Sequence, residues 1–247
     1  MHNKGMTIIF LGAGVHRAID DERYPIWLSE INGKTVIERS VSFIDTLSQD
    51  QGNTIIFLVK KSDVDSLHVQ NALLCLVPNS KIIAVDNDTE GAACTALLAI
   101  DHIEKDLPLL IMNMDEFIDG KILGNDYILE FLNENCDAGV LTFHSIHPRY
   151  SFVAVNDEGI VFEAAEKNPI SSNATVGFYW YAKGSLFVDG AKEMIRKEAR
   201  LVDGGYYICP VFNPIILAGG KVKAIQIATE NYHPLKNHVQ IDYENRR

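Results

Sequence analysis

Apolar and polar residues alternate in two different rhythms along the first half of the chain. Short apolar runs at 7–11, 54–59, 81–85 and 109–114 have no polar side, the pattern of strands covered on both faces. Between them the spacing becomes helical. Residues 34–47 bring Val36, Ile37, Val41, Ile44 and Leu47 to one face. A second helix, capped by Ser62 or Asp63, carries Val64, Leu67, Leu74 and Leu76 and stops before Pro78, and a third covers 91–103. Strands that alternate with helices in this way predict a parallel, doubly wound sheet.

The rhythm changes in the second half. Strands are expected at 139–144, 152–155, 160–164 and 175–181, joined by short turns such as Asn156-Asp157-Glu158-Gly159. An amphipathic helix over 185–200 places Leu186, Phe187, Ala191, Met194 and Ile195 inward. No repeat, low-complexity tract or linker-like break interrupts the pattern. One mixed-sheet α/β domain over 1–247 is therefore expected, with a nucleotide-binding half at 1–120 and an elaborated half at 121–247.

Composition narrows the functional classes. At 247 residues, 47% hydrophobic and 22% charged, the chain can bury a substantial core. A formal charge of −11 argues against nucleic acid as a partner, since phosphate backbones demand clustered Lys and Arg. Cys75, Cys94, Cys136 and Cys209 form no C-x-x-C pair, and Cys75 and Cys94 sit in apolar helical patterns, which fits a reduced, cytoplasmic setting. Residues 1–5 are too short and polar for a signal peptide, and the next apolar run, 6–11, is strand-sized, so no membrane segment is expected.

The candidate chemistry sits at strand ends. Residues 109–114 lead straight into Asp115, where an open α/β sheet binds its ligands. A carboxylate there suits Mg²⁺, which keeps several waters and is completed by substrate phosphates, although a loop Asp capping a turn is the ordinary alternative. Leu11-Gly12-Ala13-Gly14 follows the first strand, and its small residues let backbone approach a base or a phosphate, with Arg17 as a fixed charge nearby. The same residues make an ordinary tight turn. Gly91-Ala92-Ala93 admits a ligand at a helix start, or tight packing of helix on sheet. Glu166-Lys167-Asn168-Pro169 holds an ammonium on a constrained loop, suited to a phosphate and equally to a solvated surface pair. Gly177, in the strand begun by Thr175, admits a ligand face. His144 and His147 lack matched partners and read as surface histidines, and no nucleophile elbow is present.

Taken in order, these segments resemble the sugar-phosphate nucleotidyltransferases, whose three-layer, Rossmann-like mixed sheet is of glycosyltransferase-A type. Leu11-Gly12-Ala13-Gly14 resembles the family's leading loop, and Gly33-Lys34-Thr35-Val36-Ile37-Glu38 the opening of its first long helix. Thr89-Glu90-Gly91-Ala92-Ala93 is similar to its base-side loop, and Asn113-Met114-Asp115 to its metal-binding strand end. Glu166-Lys167-Asn168-Pro169, Ala174-Thr175-Val176-Gly177-Phe178-Tyr179 and the late Tyr206-Tyr207-Ile208-Cys209-Pro210-Val211-Phe212-Asn213 look like its sugar-side and later segments. The resemblance implies that a sugar 1-phosphate, or a related small phosphate, attacks the α-phosphorus of an NTP and expels pyrophosphate, with surface-glycan assembly as the setting. It also implies roles: Asp115 on Mg²⁺; Leu11, Gly12, Ala13, Gly14, Gly91, Ala92 and Asn113 around the nucleotide; Arg17 on phosphate; and Glu166, Lys167, Thr175 and Gly177 around the acceptor. A phosphate nucleophile is largely dianionic near neutrality, so no general base is required. Two departures stand out. Pro25 is followed by Ile26-Trp27 where the family has lysine, with Arg23, Lys34 and Lys236 as possible replacements. A second metal-binding Asp has only Asp203 or Asp242 as substitutes. A glycosyltransferase acting on a nucleotide sugar and a non-catalytic nucleotide sensor are the rival readings.

Overall fold

A computed structural model describes residues 5–14, 24–48, 52–119, 124–198, 204–235, 241 and 244. In chain order the elements are β1 (Thr7–Gly12), the short ribbon β2 (Glu30–Ile31) and β3 (Lys34–Thr35), α1 (Val36–Ser48), β4 (Thr54–Lys60), α2 (Lys61–Leu67), α3 (Val69–Leu76), β5 (Lys81–Val85), α4 (Ala92–Leu97), β6 (Leu109–Asn113) and β7 (Glu116–Ile118). There follow α5 (Gly124–Asn133), β8 (Ala138–His144), β9 (Ser151–Val155), β10 (Val161–Glu166), β11 (Asn173–Tyr181), α6 (Gly184–Arg196), α7 (Phe212–Leu217), β12 (Val222–Gln226) and β13 (Tyr232–Pro234).

The unbroken apolar runs make sense because the central sheet is covered on both faces. Along β1, Ile8 and Phe10 enter one core and Ile9 the other; along β6, Leu110 and Met112 divide from Leu109 and Ile111 in the same way. The first core is closed by α1, α3 and α5 through Ile44, Leu73 and Phe131, and the second by α4, α6 and α7 through Ala93, Phe187 and Phe212. Phe10 stacks on Phe57 at 4.9 Å between ring centres, and Phe131 on Trp180 at 5.5 Å. Each such buried ring contributes about 1.5–3 kcal/mol from burial alone. The result is a three-layer α/β sandwich.

Strands β5, β4, β1 and β6 are parallel neighbours, as the strand–helix alternation predicts. β11 is antiparallel to β6 and continues the sheet into the second half. On one side β11 pairs with β8 along most of its length, and β12 lies parallel to β8 beyond it. On the other side it changes partner: Ala174 faces Phe152 of β9, whereas Phe178–Tyr181 pairs with β6. That exchange leaves the carboxyl end of β6, beside the tip of β1, without a β11 rung, at the strand-end crevice where open α/β sheets bind their ligands.

Several elements differ from the sequence expectation. The helix over 62–76 is two helices, because His68 takes a left-handed conformation (φ 52°) that ends α2 and starts α3; Val69 and Leu73 are buried while Leu74 is exposed. The 91–103 segment is α4 followed by a short 3-10 turn, Ile100–His102. The expected strand at 109–114 ends at Asn113, and the chain turns there into β7. α5, α7, β12 and β13 come from segments to which the pattern assigned no element.

Candidate functional site

The crevice begins where β1 and β6 end. Leu11 and Asn113 are register partners, and the Met114 N–H donates to the Leu11 carbonyl at 3.1 Å, adding one rung beyond the strand. Met114 is fully buried. Its Sδ lies 2.5 Å from where a Cβ on Gly12 would stand, with the Leu58 carbonyl at 3.3 Å, so Gly12 is small because Met114 fills its space. Leu11 and Ala13 are half-buried, and Gly14 is exposed with open space around it. Arg17 lies outside the described residues, as do Arg23, Asp203, Lys236 and Asp242.

Asp115 stands on the turn between β6 and β7, half-buried, with its carbonyl accepting from the Leu235 N–H at 3.0 Å. The next residue, Glu116, is a buried carboxylate. The Gly177 N–H and Asn113 Nδ2 (3.2 Å) both donate to its Oε1, and the Tyr232 hydroxyl donates to its Oε2 at 2.6 Å. A Cβ on Gly177 would meet that Oε1 at 1.9 Å and Asn113 Nδ2 at 2.3 Å. The Tyr232 hydroxyl is pushed well above its ordinary pKa by burial, then by the charge of Glu116, with Asp115 contributing.

The base-side loop is similarly close-packed. Gly91 has φ 114°, and a Cβ there would lie 2.3 Å from the Tyr206 carbonyl oxygen. Tyr206 N–H donates to the Glu90 carbonyl at 2.6 Å, and Ala93 N–H donates to the Tyr206 carbonyl at 3.0 Å. Ala92 is half-buried against the second core.

On the acceptor side, β10 ends at Glu166, whose carboxylate accepts from Ser151 Oγ. Lys167 follows in a left-handed conformation (φ 53°), its N–H donating to the Tyr150 carbonyl at 2.9 Å. Its exposed ammonium lies 4.7 Å above the Tyr207 ring centre, and Nζ donates to the Tyr207 hydroxyl at 3.0 Å. Thr175 is buried, its hydroxyl 3.0 Å from that of Tyr179. Burial raises the Tyr179 pKa far above normal, and the charges of Glu166 and Glu116 push in the same direction, so both carboxylates are felt at one ring. Burial also pushes the Cys209 thiol well up, which removes it as a nucleophile.

The structure thus pairs Leu11 with Asn113, joins Asn113 to Gly177 through Glu116, links Gly91 to Tyr206, and links Lys167 to Tyr207. Glu116, Tyr206, Tyr207 and Tyr232 were not legible as site residues. Glu116 offered one signal, a second acid after Asp115, but only its burial reveals its use. Among the described residues no three His, Cys, Asp or Glu side chains cluster for a metal. Asp115 offers an oxygen donor of the kind that suits a hard cation such as Mg²⁺, which commonly takes one or two carboxylates and otherwise water and phosphate. A separate hollow of about 300 Å³, bordered by Arg39, Phe117, Asp119 and His233, lies beside β7 and takes in none of these residues.

Two solved structures share this architecture across nearly the whole chain. A nucleoside-diphosphate-sugar pyrophosphorylase from Vibrio cholerae RC9 superimposes with a TM-score of 0.80 at 20% identity, over 98% of this chain and 100% of that one. A candidate glucose-1-phosphate thymidylyltransferase from Bacillus anthracis, solved in complex with sucrose, gives 0.71 at 19% identity, over 98% and 94%. This chain has their fold. At such identity the likeness establishes the architecture, the three-layer mixed sheet that the sequence implied. No protein-family model matches the sequence, and no curated protein does. Among the described residues no helix is long and apolar enough to cross a membrane.

Proposed function

We propose that the chain transfers a nucleotidyl group from an NTP to a sugar 1-phosphate, or a related small phosphate, and releases pyrophosphate. The observation that carries this reading is the position of Asp115. It stands at the tip of β6, in the crevice where β11 exchanges β9 for β6, on a fold shared with two structures named for this chemistry.

An acceptor phosphate oxygen would form a bond to the α-phosphorus as the bond from that phosphorus to the β-phosphate bridging oxygen breaks, and pyrophosphate leaves. Such a reaction is governed by alignment and charge. Lys167, whose Nζ donates to the Tyr207 hydroxyl, orients the acceptor phosphate as a point charge. Asp115 places a negative charge at this strand tip, so the phosphates of an NTP would need a cation beside it. Asp115 would hold Mg²⁺, which supplies Lewis acidity and neutralises phosphate charge. In this reading residues 1–120 serve the nucleotide and 121–247 the acceptor.

Pyrophosphate release is measured with ATP, CTP, GTP, UTP and dTTP against a panel of sugar 1-phosphates, with and without Mg²⁺. One NTP is expected to support Mg²⁺-dependent release. Asp115→Asn is expected to lower the rate about 100-fold or more while the protein stays folded. Full activity in that variant would remove Asp115 from the role.

One observation favours a second reading. Trp27, two residues past Pro25, is buried at 1% exposure, and Ile26 packs against a core, so this apolar pair turns inward where the resembling family has lysine. A nucleotide or nucleotide-sugar sensor would show ligand-dependent thermal stabilisation with no pyrophosphate released.

A further inference from the structure

Glu116 is the one buried carboxylate among the described residues, at 6% exposure. Burying a carboxylate costs several kcal/mol unless donors satisfy it, so its presence in a packed interface calls for a reason. The sheet supplies one. β6 and β11 pair from Tyr181 and Leu109 up to Phe178 and Met112. The next rung would join Asn113 to Gly177, but there β6 turns away towards β13. The Gly177 N–H is left facing the gap, and the Glu116 carboxylate takes it. Asn113 Nδ2 and the Tyr232 hydroxyl complete the arrangement, so one side chain ties β6, β11 and β13 together. Hydrogen bonds to an ionised acceptor are roughly twice as strong as neutral ones. Gly177 is the only residue type that leaves room, since a Cβ would overlap Oε1.

The backbone of the same turn is fixed from the other sides. Met114 N–H bonds to Leu11, Leu235 N–H bonds to the Asp115 carbonyl, and Ser40 Oγ donates to the Glu116 carbonyl at 2.9 Å. The carboxylate connects the turn to β11, the strand that continues to the acceptor side. We propose that Glu116 is the positioning residue for Asp115: its carboxylate replaces the missing ladder rung between β6 and β11, and so sets where the Asp115 carboxylate stands to hold a divalent cation. The proposal rests on the metal role given to Asp115 in the preceding section.

The test is Mn²⁺ titration of the full chain, followed by the free-ion electron paramagnetic resonance signal, beside thermal unfolding and pyrophosphate release. Glu116→Ala is expected to weaken Mn²⁺ binding about 10–100-fold, as loss of a partner behind a ligand does. Glu116→Gln, whose amide oxygen can still accept from Gly177, recovers most of that loss, and Tyr232→Phe gives a smaller one. Leu73→Ala, on α3 and with no hydrogen bond to the turn, lowers the unfolding temperature without moving Mn²⁺ affinity. Should Glu116→Ala fail to fold, the Gln and Phe variants decide the matter by the same ranking. Binding within about twofold of wild type in folded Glu116→Ala, or in Tyr232→Phe should the alanine variant fail to fold, overturns the proposal. So does a wild-type chain that binds no Mn²⁺, or an equal loss in Leu73→Ala. Absence of pyrophosphate release with the Mn²⁺ ranking intact would overturn the transferase reading and leave the positioning role standing.

Discussion

At the scale of single residues, the glycines of the crevice are spaces filled by the protein itself. Gly12 receives Met114, Gly91 receives the Tyr206 backbone and Gly177 receives Glu116 and Asn113, whereas Gly14 stands in the open. Gly91→Ala forces a Cβ against a carbonyl at a φ that suits only glycine, and is expected to cost about 1–3 kcal/mol or more. Gly14→Ala is expected to stay within about 0.5 kcal/mol of wild type. Urea unfolding of the two variants checks both. The sequence makes each glycine visible but not what occupies it, because the partner is remote: Glu116 lies 61 positions from Gly177. Asp115 was legible because a strand tip announces itself locally. Glu116, with the same chemistry one position on, was not.

Elements were legible where they owe their form to neighbouring residues. α1 is the clearest case: Thr35 N–H and Oγ1 both donate to Glu38 Oε2, at 2.5 and 2.8 Å, and Glu38 N–H donates back to Thr35 Oγ1 at 3.2 Å, a reciprocal capping box. The Thr35 backbone bond, followed by its hydroxyl, lowers the Glu38 pKa. A folded-state pKa below the unfolded one gives stability that is present above the unfolded pKa, about 4.3, and lost as the pH falls through the folded value. Thr35→Ala is therefore expected to cost about 1 kcal/mol. The deficit of Glu38→Gln relative to wild type should be present near neutrality and fade on acidification below about pH 4, as followed by thermal unfolding. α5 was missed for a different reason. Tyr127, Ile128 and Phe131 carry the helical spacing, but Leu129 and Leu132 are also apolar and face solvent, which blurs the face. β12 gained its place by pairing with β8, 84 positions earlier by register (Val222 with Ala138).

For the molecule as a whole, the formal charge of −11 sets how anionic ligands arrive. The net field opposes an incoming NTP, and salt screens that field within about 8 Å at physiological ionic strength. At fixed free Mg²⁺, NTP association is expected to quicken as salt rises from low to physiological concentration, the reverse of a basic nucleotide-binding surface; stopped-flow measurements with the preferred NTP would reveal the sign. The fold class followed from the strand–helix rhythm because a sheet covered on both faces leaves its mark along the whole chain. The crevice did not, because it is made by β11 changing partners, an event with no local trace. One consequence of the Glu116 contacts lies in time. Gly177 and Tyr232 are 61 and 116 positions downstream of the residue they hold. At about 5–20 residues per second, a growing chain that has already made β6 waits on the order of 10 s for its last clamp to be synthesised. The parallel sheet can assemble early on the ribosome, but the turn that carries Asp115 lacks its contacts from Tyr232 and Leu235 until those residues have emerged, so a chain halted before them is expected to be folded in part with that turn held less firmly.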